Sequence, residues 1–234
     1  MCTLVAMKRL EQIKALIRSR IGVIDVGTDH AFLPISLTLA GYAGNLIASD
    51  IHPLPLQAAV KNAQIRGVRD RIVFRLSDGL DACHPEEVDT VILAGMGGDL
   101  ICSILDRAEW TMDCEKQLLL QPMTKAEILR FWLYNNGYVI ERECPVLENG
   151  RIFQIMSVRY MNQNTSVNDA ELYLGKCSMH SDVLLYREQA LMEANRLRKK
   201  ADGLQQTGAS AAARGFYQNI VRELCNLAEL KQES

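Results

Sequence analysis

The sequence predicts an α/β fold: a mostly parallel sheet with helices on both faces, closed by an antiparallel β-hairpin and followed by a pair of long helices. Three observations predict it. Short apolar runs alternate with stretches of helical periodicity as far as about residue 135. An Asn149-Gly150 pair stands between two β-patterned segments, a strong hairpin signal. Near the carboxyl end, apolar residues recur at spacings of three, four and seven over two stretches, as in an antiparallel helical pair.

The elements follow in order. Residues 7–20 place Met7, Leu10, Ile13, Leu16 and Ile17 on one face of a short amphipathic helix, with basic residues on the other. Residues 21–26 form an apolar run ending in Gly27, a buried strand. Helical spacing returns over 30–39. Residues 45–49 are a second buried strand closed by Asp50, and 53–66 a helix with Pro53 and Pro55 in its first turn. Strands three and four occupy 71–76 and 89–94, the latter ending at Gly95-Met96-Gly97-Gly98. A helix over 99–106, a strand over 116–120 and a helix over 125–135 follow. Residues 137–143 and 151–159 are the strands of the closing hairpin. Residues 161–168 are polar and read as a linker. Leu184, Leu191, Ala194, Leu197, Ala201 and Leu204 mark a helix over 181–206. After a Thr207-Gly208 turn, Phe216, Ile220, Leu224 and Leu227 mark its partner. The expected division is a sheet domain over 1–160 and a helical appendage over 161–234.

Composition bounds the function. A chain of 234 residues has room for one α/β domain and a small appendage, and 48% apolar residues suffice for a core. Aromatics at 6% argue against a base-stacking platform. The net charge of −2 means that any grip on nucleic acid rests on local basic patches. The seven cysteines (Cys2, Cys83, Cys102, Cys114, Cys144, Cys177, Cys225) contain no C-x-x-C pair. His30, His52, His84 and His180 are scattered, without zinc spacing. Thiols in a reducing cytosol, with no metal, are the expectation. Residues 1–6 lead into a charged amphipathic stretch rather than a cleavage site, and no apolar run has membrane length. A soluble, cytoplasmic protein with no membrane partner is expected.

The candidate site follows the strand ends, since open α/β sheets bind ligands at the carboxyl ends of their strands. After strand one comes Asp25-Val-Gly27-Thr28-Asp29-His30. Gly27 lets the backbone approach a ligand, and the next helix offers free N–H groups. The same string also reads as an ordinary strand-to-helix turn with Asp29 as helix cap. Asp50, before Ile51, can accept hydrogen bonds from both ribose hydroxyls of a nucleoside; it also reads as a helix-start acid. Asp78-Gly79 after strand three can read an adenine amino group, or form a plain turn. Acids at the ends of three successive strands on one rim fit a nucleoside ligand better than three separate turns. The absence of G-x-G-x-x-G disfavours NAD and leaves S-adenosylmethionine. Ala94, Gly95, Met96, Gly97 and Gly98 read as a loop of exposed backbone able to approach a flat ring. Close packing of a helix start against the sheet explains the same glycines. Gln121-Pro122-Met123 would form the far lip.

These strings, taken in order, resemble the TrmK family, the bacterial tRNA (adenine-22-N1)-methyltransferases. The resemblance is carried by Asp25-Val-Gly-Thr-Asp-His-Ala-Phe-Leu-Pro34, Ala48-Ser-Asp-Ile-His-Pro-Leu-Pro-Leu56, Ala94-Gly-Met-Gly-Gly98, Leu120-Gln-Pro-Met123 and Asn136-Gly-Tyr-Val-Ile140. It runs from about Met7 to Arg159 and continues loosely into the helical tail. Thr28 stands where Ser is expected. The resemblance implies a class I, Rossmann-like methyltransferase sheet with a C-terminal helical hairpin. It implies methyl transfer from S-adenosylmethionine to adenine N1 in tRNA, with another RNA adenine, or a non-catalytic RNA-binding protein, as alternatives. Asp25, Gly27, Thr28, Asp29 and His30 would meet the cofactor, with Ala94 and Gly95 beside it. Asp50 and Ile51 would lie at its ribose, and Asp78 and Gly79 near its adenine. Met96, Gly97, Gly98, Gln121 and Pro122 would face the target base. Methylation at N1 develops positive charge on the purine, which a nearby carboxylate would stabilise. Asp29 is the first candidate and Asp99 the second. Arg196, Arg198, Lys199 and Lys200 on the helical hairpin, and Lys8, Arg9, Lys14, Arg18 and Arg20 near the amino end, would clamp tRNA phosphates. Solvated helix faces, or dimerisation through the hairpin, are the rival readings.

Overall fold

A computed structural model describes residues 8–176, 182–206 and 210–229. Met7, Ser181 and the Thr207-Gly208 turn lie outside the described residues, as do Cys2, Cys177 and His180.

The sheet has seven strands: β1 (Gly22–Val26), β2 (Asn45–Asp50), β3 (Val73–Leu76), β4 (Thr90–Gly97), β5 (Gln117–Thr124), β6 (Tyr138–Glu148) and β7 (Arg151–Tyr160). Their order is β3-β2-β1-β4-β5-β7-β6. Strands β1 to β5 are parallel; β7 runs antiparallel between β5 and β6. The layering explains the unbroken apolar runs. In β4, Val91 and Leu93 enter one core cluster and Ile92 the other; in β5, Leu118 and Leu120 divide from Leu119 in the same way. A strand buried on both faces needs apolar residues at every position. Helices α4 (Gly98–Arg107) and α5 (Ala126–Asn135) cover the first cluster. Helices α1 (Lys8–Leu16), α2 (Phe32–Leu39) and α3 (Pro53–Ile65) cover the second. Asn149 and Gly150 both take positive φ, 51° and 71°, the geometry that tight hairpins require.

Four features depart from the sequence reading. Strand β4 does not stop at residue 94. It continues to Gly97, paired with β5 through Met96↔Pro122 and Gly97↔Thr124 across two register shifts. The glycine-rich string is therefore a bulged strand end rather than a free loop. Helix α2 begins at Phe32 after a left-handed Ala31 (φ 54°), and no side chain caps it, so Asp29 is not its cap. A short 3-10 turn over Arg69–Arg71 replaces the expected start of strand three. Finally, a short helix α6 (Asp169–Leu174) follows the linker. The Asn168 and Glu171 side chains accept each other's backbone N–H at 2.8 and 3.1 Å, a reciprocal capping box.

Helices α7 (Val183–Gln206) and α8 (Ala211–Glu229) pair through a third cluster. Tyr186, Ala190, Ala194 and Leu197 meet Ile220, Leu224 and Ala228 there, and Ala170 and Leu174 of α6 complete it. A buried ion pair ties this unit to the sheet. Arg130 of α5 and Glu143 of β6 are both fully buried, with Nε to Oε1 at 2.8 Å. Arg130 Nη1 also donates to the carbonyls of Leu172 and Tyr173 at 2.8 and 3.1 Å. Gly175 (φ 86°) passes so close that an added Cβ would lie 1.8 Å from Glu143 Oε2.

Candidate functional site

Connections from β1 run outward to β2 and β3, and those from β4 run the other way to β5. The crevice between β1 and β4, at their carboxyl ends, is where such sheets take ligands. A hollow of about 220 Å³ lies there. Asp25, Gly27, Thr28, Asp29, Phe32 and Leu33 form one side, Ala94, Gly95 and Gln121 the other, and Arg9, Leu10 and Ile13 of α1 the roof.

Local backbone geometry builds the β1 side. The N–H groups of Gly27 and Thr28 both donate to the Ser49 carbonyl, at 2.8 and 3.0 Å, which folds the chain back over β2. This fold gives Gly27 a φ of 71°, and an added Cβ would lie 2.5 Å from the Met96 methyl. Gly27 therefore brings the two strand ends together. Asp29 is also left-handed (φ 42°), and its side chain is 68% exposed at the mouth of the hollow. His30 Nε2 stands 3.5 Å from its carboxylate, and the His30 ring leans on Phe32.

Asp25 is the buried acid in the wall of the hollow. Thr28 Oγ1 donates to its Oδ2 at 2.6 Å. Burial pushes its carboxyl up to about 6; the Thr28 bond opposes this and the charge of Asp50 adds to it. Asp50 is 8% exposed and accepts the His52 N–H at 2.8 Å. Ile51 beside it is exposed. Neither Asp25 nor Asp50 has a cation partner among the described residues. Two buried acids in each other's field, without a counter-charge, fit a ligand that brings positive charge and hydroxyl donors.

Asp78 does not line the hollow. It is exposed and pairs with Arg107 of α4 at 2.9 Å, while Gly79 (φ 56°) packs on Ile104. The β4 end divides its residues. Gly95 (φ 80°) faces the hollow. Gly98 starts α4 so close to the next connection that a Cβ would lie 2.3 Å from the Lys125 carbonyl oxygen. A Cβ at Gly97 would meet Asp99. Asp99 itself is held by Lys125 at 2.5 Å, which keeps its carboxyl below the usual range.

Sequence reasoning missed the roof. From the sequence, Arg9 reads as a phosphate clamp or part of a solvated helix face, and the structure gives it neither role. Its Nε pairs with Glu148 at 2.8 Å, its Nη1 donates to Gln121 Oε1 at 3.3 Å, and its guanidinium lies 4.1 Å over the Phe153 ring. Gln121, only 2% exposed, also donates to the Pro122 carbonyl. Lys14 is bound to Glu11 and Ser36, and Arg18 to Glu141. On α7, Arg196 joins Glu193 at 2.7 Å and Glu127 at 4.0 Å. Arg198 donates to Asn195, Lys200 lies over Tyr217, and Lys199 is exposed. Among the described residues no group of acids, cysteines and histidines is placed to hold a metal ion, and no helix is long and apolar enough to cross a membrane.

Residues 6–156 match a family model described as "Methyltransferase domain". A tRNA (adenine(22)-N(1))-methyltransferase of Bacillus subtilis is 30% identical over 168 residues, 72% of this chain and 71% of the relative. The crystal structure of the Streptococcus pneumoniae protein Sp1610 superimposes with a TM-score of 0.81 at 26% identity, covering 94% of this chain and 98% of that one. The same protein in complex with S-adenosyl-L-methionine gives 0.78 at 27% identity, covering 93% and 98%.

Proposed function

Because the chain belongs to the tRNA (adenine(22)-N1)-methyltransferase family, we propose that it transfers a methyl group from S-adenosylmethionine to N1 of adenine 22 in tRNA. The observation that carries this reading at the site is the pair of buried acids, Asp25 and Asp50, without a cation partner beside a hollow at the β1–β4 crevice.

When bound, S-adenosylmethionine supplies a methyl group already activated by its sulfonium. Asp25, Gly27, Thr28, Asp29, His30, Ala94 and Gly95 would hold it, with Asp50 and Ile51 at its ribose. The hollow of about 220 Å³ opens to solvent at the strand ends, so the cofactor would be only partly enclosed. Asp50, which is not part of the hollow's lining, would meet the ribose from the open rim. A role for Asp78 and Gly79 at the adenine requires Asp78 to leave Arg107.

Adenine N1 carries an in-plane lone pair and needs no general base. The chain therefore acts mainly by alignment. It must also accommodate the positive charge that develops on the purine. Asp29, exposed at the mouth with His30 as its one ion-pair partner among the described residues, is placed to do so; Asp99 is already neutralised by Lys125. The Watson–Crick edge must leave its stack, and Met96, Gly97, Gly98 and Gln121 would receive the base, whereas Pro122, expected beside them, lines the concavity behind. The appendage over 161–234 would grip tRNA through Arg196, Arg198, Lys199 and Lys200. Such an enzyme would work in the cytoplasm.

The test is mass spectrometry of nucleosides from tRNA incubated with the protein and S-adenosylmethionine. The expected product is 1-methyladenosine at position 22. N6-methyladenosine, or unmodified tRNA with bound cofactor, would overturn the reading.

A further inference from the structure

A second concavity lies between the sheet and the helical hairpin. We propose that this groove seats an unpaired nucleobase of the same tRNA, other than the target adenine, and that Gln154 and Gln189 read its edge. The proposal rests on the tRNA reading above and adds a second point of contact to it.

Position comes first. The groove, of about 470 Å³, is lined by the end of β5, the start of β7 and one face of α7. It stands back to back with the cofactor hollow. Phe153 lines the groove, and Arg9, in the hollow's roof, lies over its ring. Gln121 lines the hollow, and its neighbour Pro122 lines the groove. A strand that delivers one base to the lip of the hollow has its neighbouring nucleotides beside this groove.

Chemistry is the second support. Gln154 is 5% exposed, and its Nε2 donates to Gln189 Oε1 at 2.5 Å. Its own Oε1 is buried and has no hydrogen-bond partner. A buried acceptor without a donor is unfavourable, and native proteins rarely leave one unless a ligand or water completes it. Gln189 is half-exposed on α7, and no described residue accepts from its amide nitrogen. Rotation of Gln189 out of its bond with Gln154 would uncover the Gln154 Oε1 acceptor beside the Gln189 amide donor. That pattern matches a base edge carrying an amino group next to a ring nitrogen. Phe153 and Tyr173 supply apolar ring surface, and sequence-specific RNA recognition mostly takes splayed, unstacked bases of this kind. Arg151 at the rim has no ion pair among the described residues and is placed for a phosphate.

The test uses the full chain with Gln154→Met, Gln189→Met and Arg151→Ala. Affinity for tRNA is measured by fluorescence anisotropy at several salt concentrations. Affinity for S-adenosylmethionine is measured by calorimetry, and KM and kcat by steady-state methylation. Each glutamine variant is expected to weaken tRNA binding and raise KM by about tenfold or more. The kcat at saturating tRNA, the cofactor affinity and the salt slope should stay near wild type. Arg151→Ala should weaken binding and make the salt slope shallower by about one. Wild-type tRNA affinity in both folded glutamine variants overturns the groove proposal. So does a parallel loss of cofactor affinity, which would mark a general structural role. If Gln154→Met does not fold, Gln189→Met, on a half-exposed helix face, decides alone. Failure of the wild type to methylate tRNA that it binds overturns the methylation reading instead, because the anisotropy comparison does not depend on turnover.

Discussion

Replacing Asp25 by Asn is expected to make the protein more stable and less able to bind its cofactor, with both effects set by pH. Burial and the neighbouring Asp50 move the Asp25 carboxyl from 3.8 to about 6. At about 1.4 kcal/mol per pH unit, this places about 3 kcal/mol against the ionised form. The folded value lies above the unfolded one. The penalty is therefore absent below about pH 4, grows through about pH 6 and is complete at pH 7 and above. Asn keeps the shape and can still accept the Thr28 hydroxyl, but carries no charge to desolvate. Urea unfolding of both proteins at pH 4, 5, 6 and 7.5 isolates the effect, because the two proteins differ only at residue 25. The stability gap should open from near zero to as much as about 3 kcal/mol in favour of Asn. Cofactor affinity should run the opposite way. A cationic ligand needs the carboxylate, so wild-type binding should weaken by up to about tenfold per pH unit below about pH 6. The variant should bind weakly at every pH. A stability gap that stays flat from pH 4 to 7.5 would refute the argument, since no buried titration would then separate the two proteins.

Two further substitutions test other links. Asp29→Ala should lower single-turnover methylation by about two orders of magnitude or more with only a modest change in tRNA affinity. Asp99→Ala, which removes a carboxylate already held by Lys125, should stay within about tenfold of wild type. Equal losses in rapid-quench assays would remove the distinction. Arg130→Met removes a buried cation that meets Glu143 at 2.8 Å and should destabilise by about 3–5 kcal/mol in urea unfolding. Adding Glu143→Gln should recover a good part of that, and a double variant no better than the single would show that the ion pair is not the cause.

What could be read in the sequence was whatever depends on local periodicity. The inner strands of the parallel sheet announce themselves because burial on both faces demands apolar side chains along them, whereas the edge strand β3 is partly exposed and its start was misplaced. Asn149-Gly150 announces the hairpin because few other residues accept two positive φ values in succession. Asp25, Gly27 and Asp29 follow from the same logic, lying where β1 ends. Asp78 shows where that logic stops: position at a strand end does not fix the direction of a side chain, and Arg107 had a competing claim on it. Helix α6 went unread although Asn168 and Glu171 are spaced as a capping box, because six residues are too few to show a helical period.

The other omissions share a cause. Arg9 meets Glu148 across 139 positions of sequence and Gln121 across 112, and Arg130 finds its carbonyl partners more than 40 positions away. A basic residue on an amphipathic helix is the same letter whether it faces water, a phosphate or a buried acid. Only the antiparallel insertion of β7, which brings the hairpin end beneath α1, decides among the three. That insertion also sets Phe153 against Arg9 and Gln154 against α7. The strand that closes the sheet thus separates the two concavities and lines the second. On the reading proposed above, the ends of β4 and β5 would meet the target adenine, and the closing hairpin with α7 would add a second, separate contact to the tRNA.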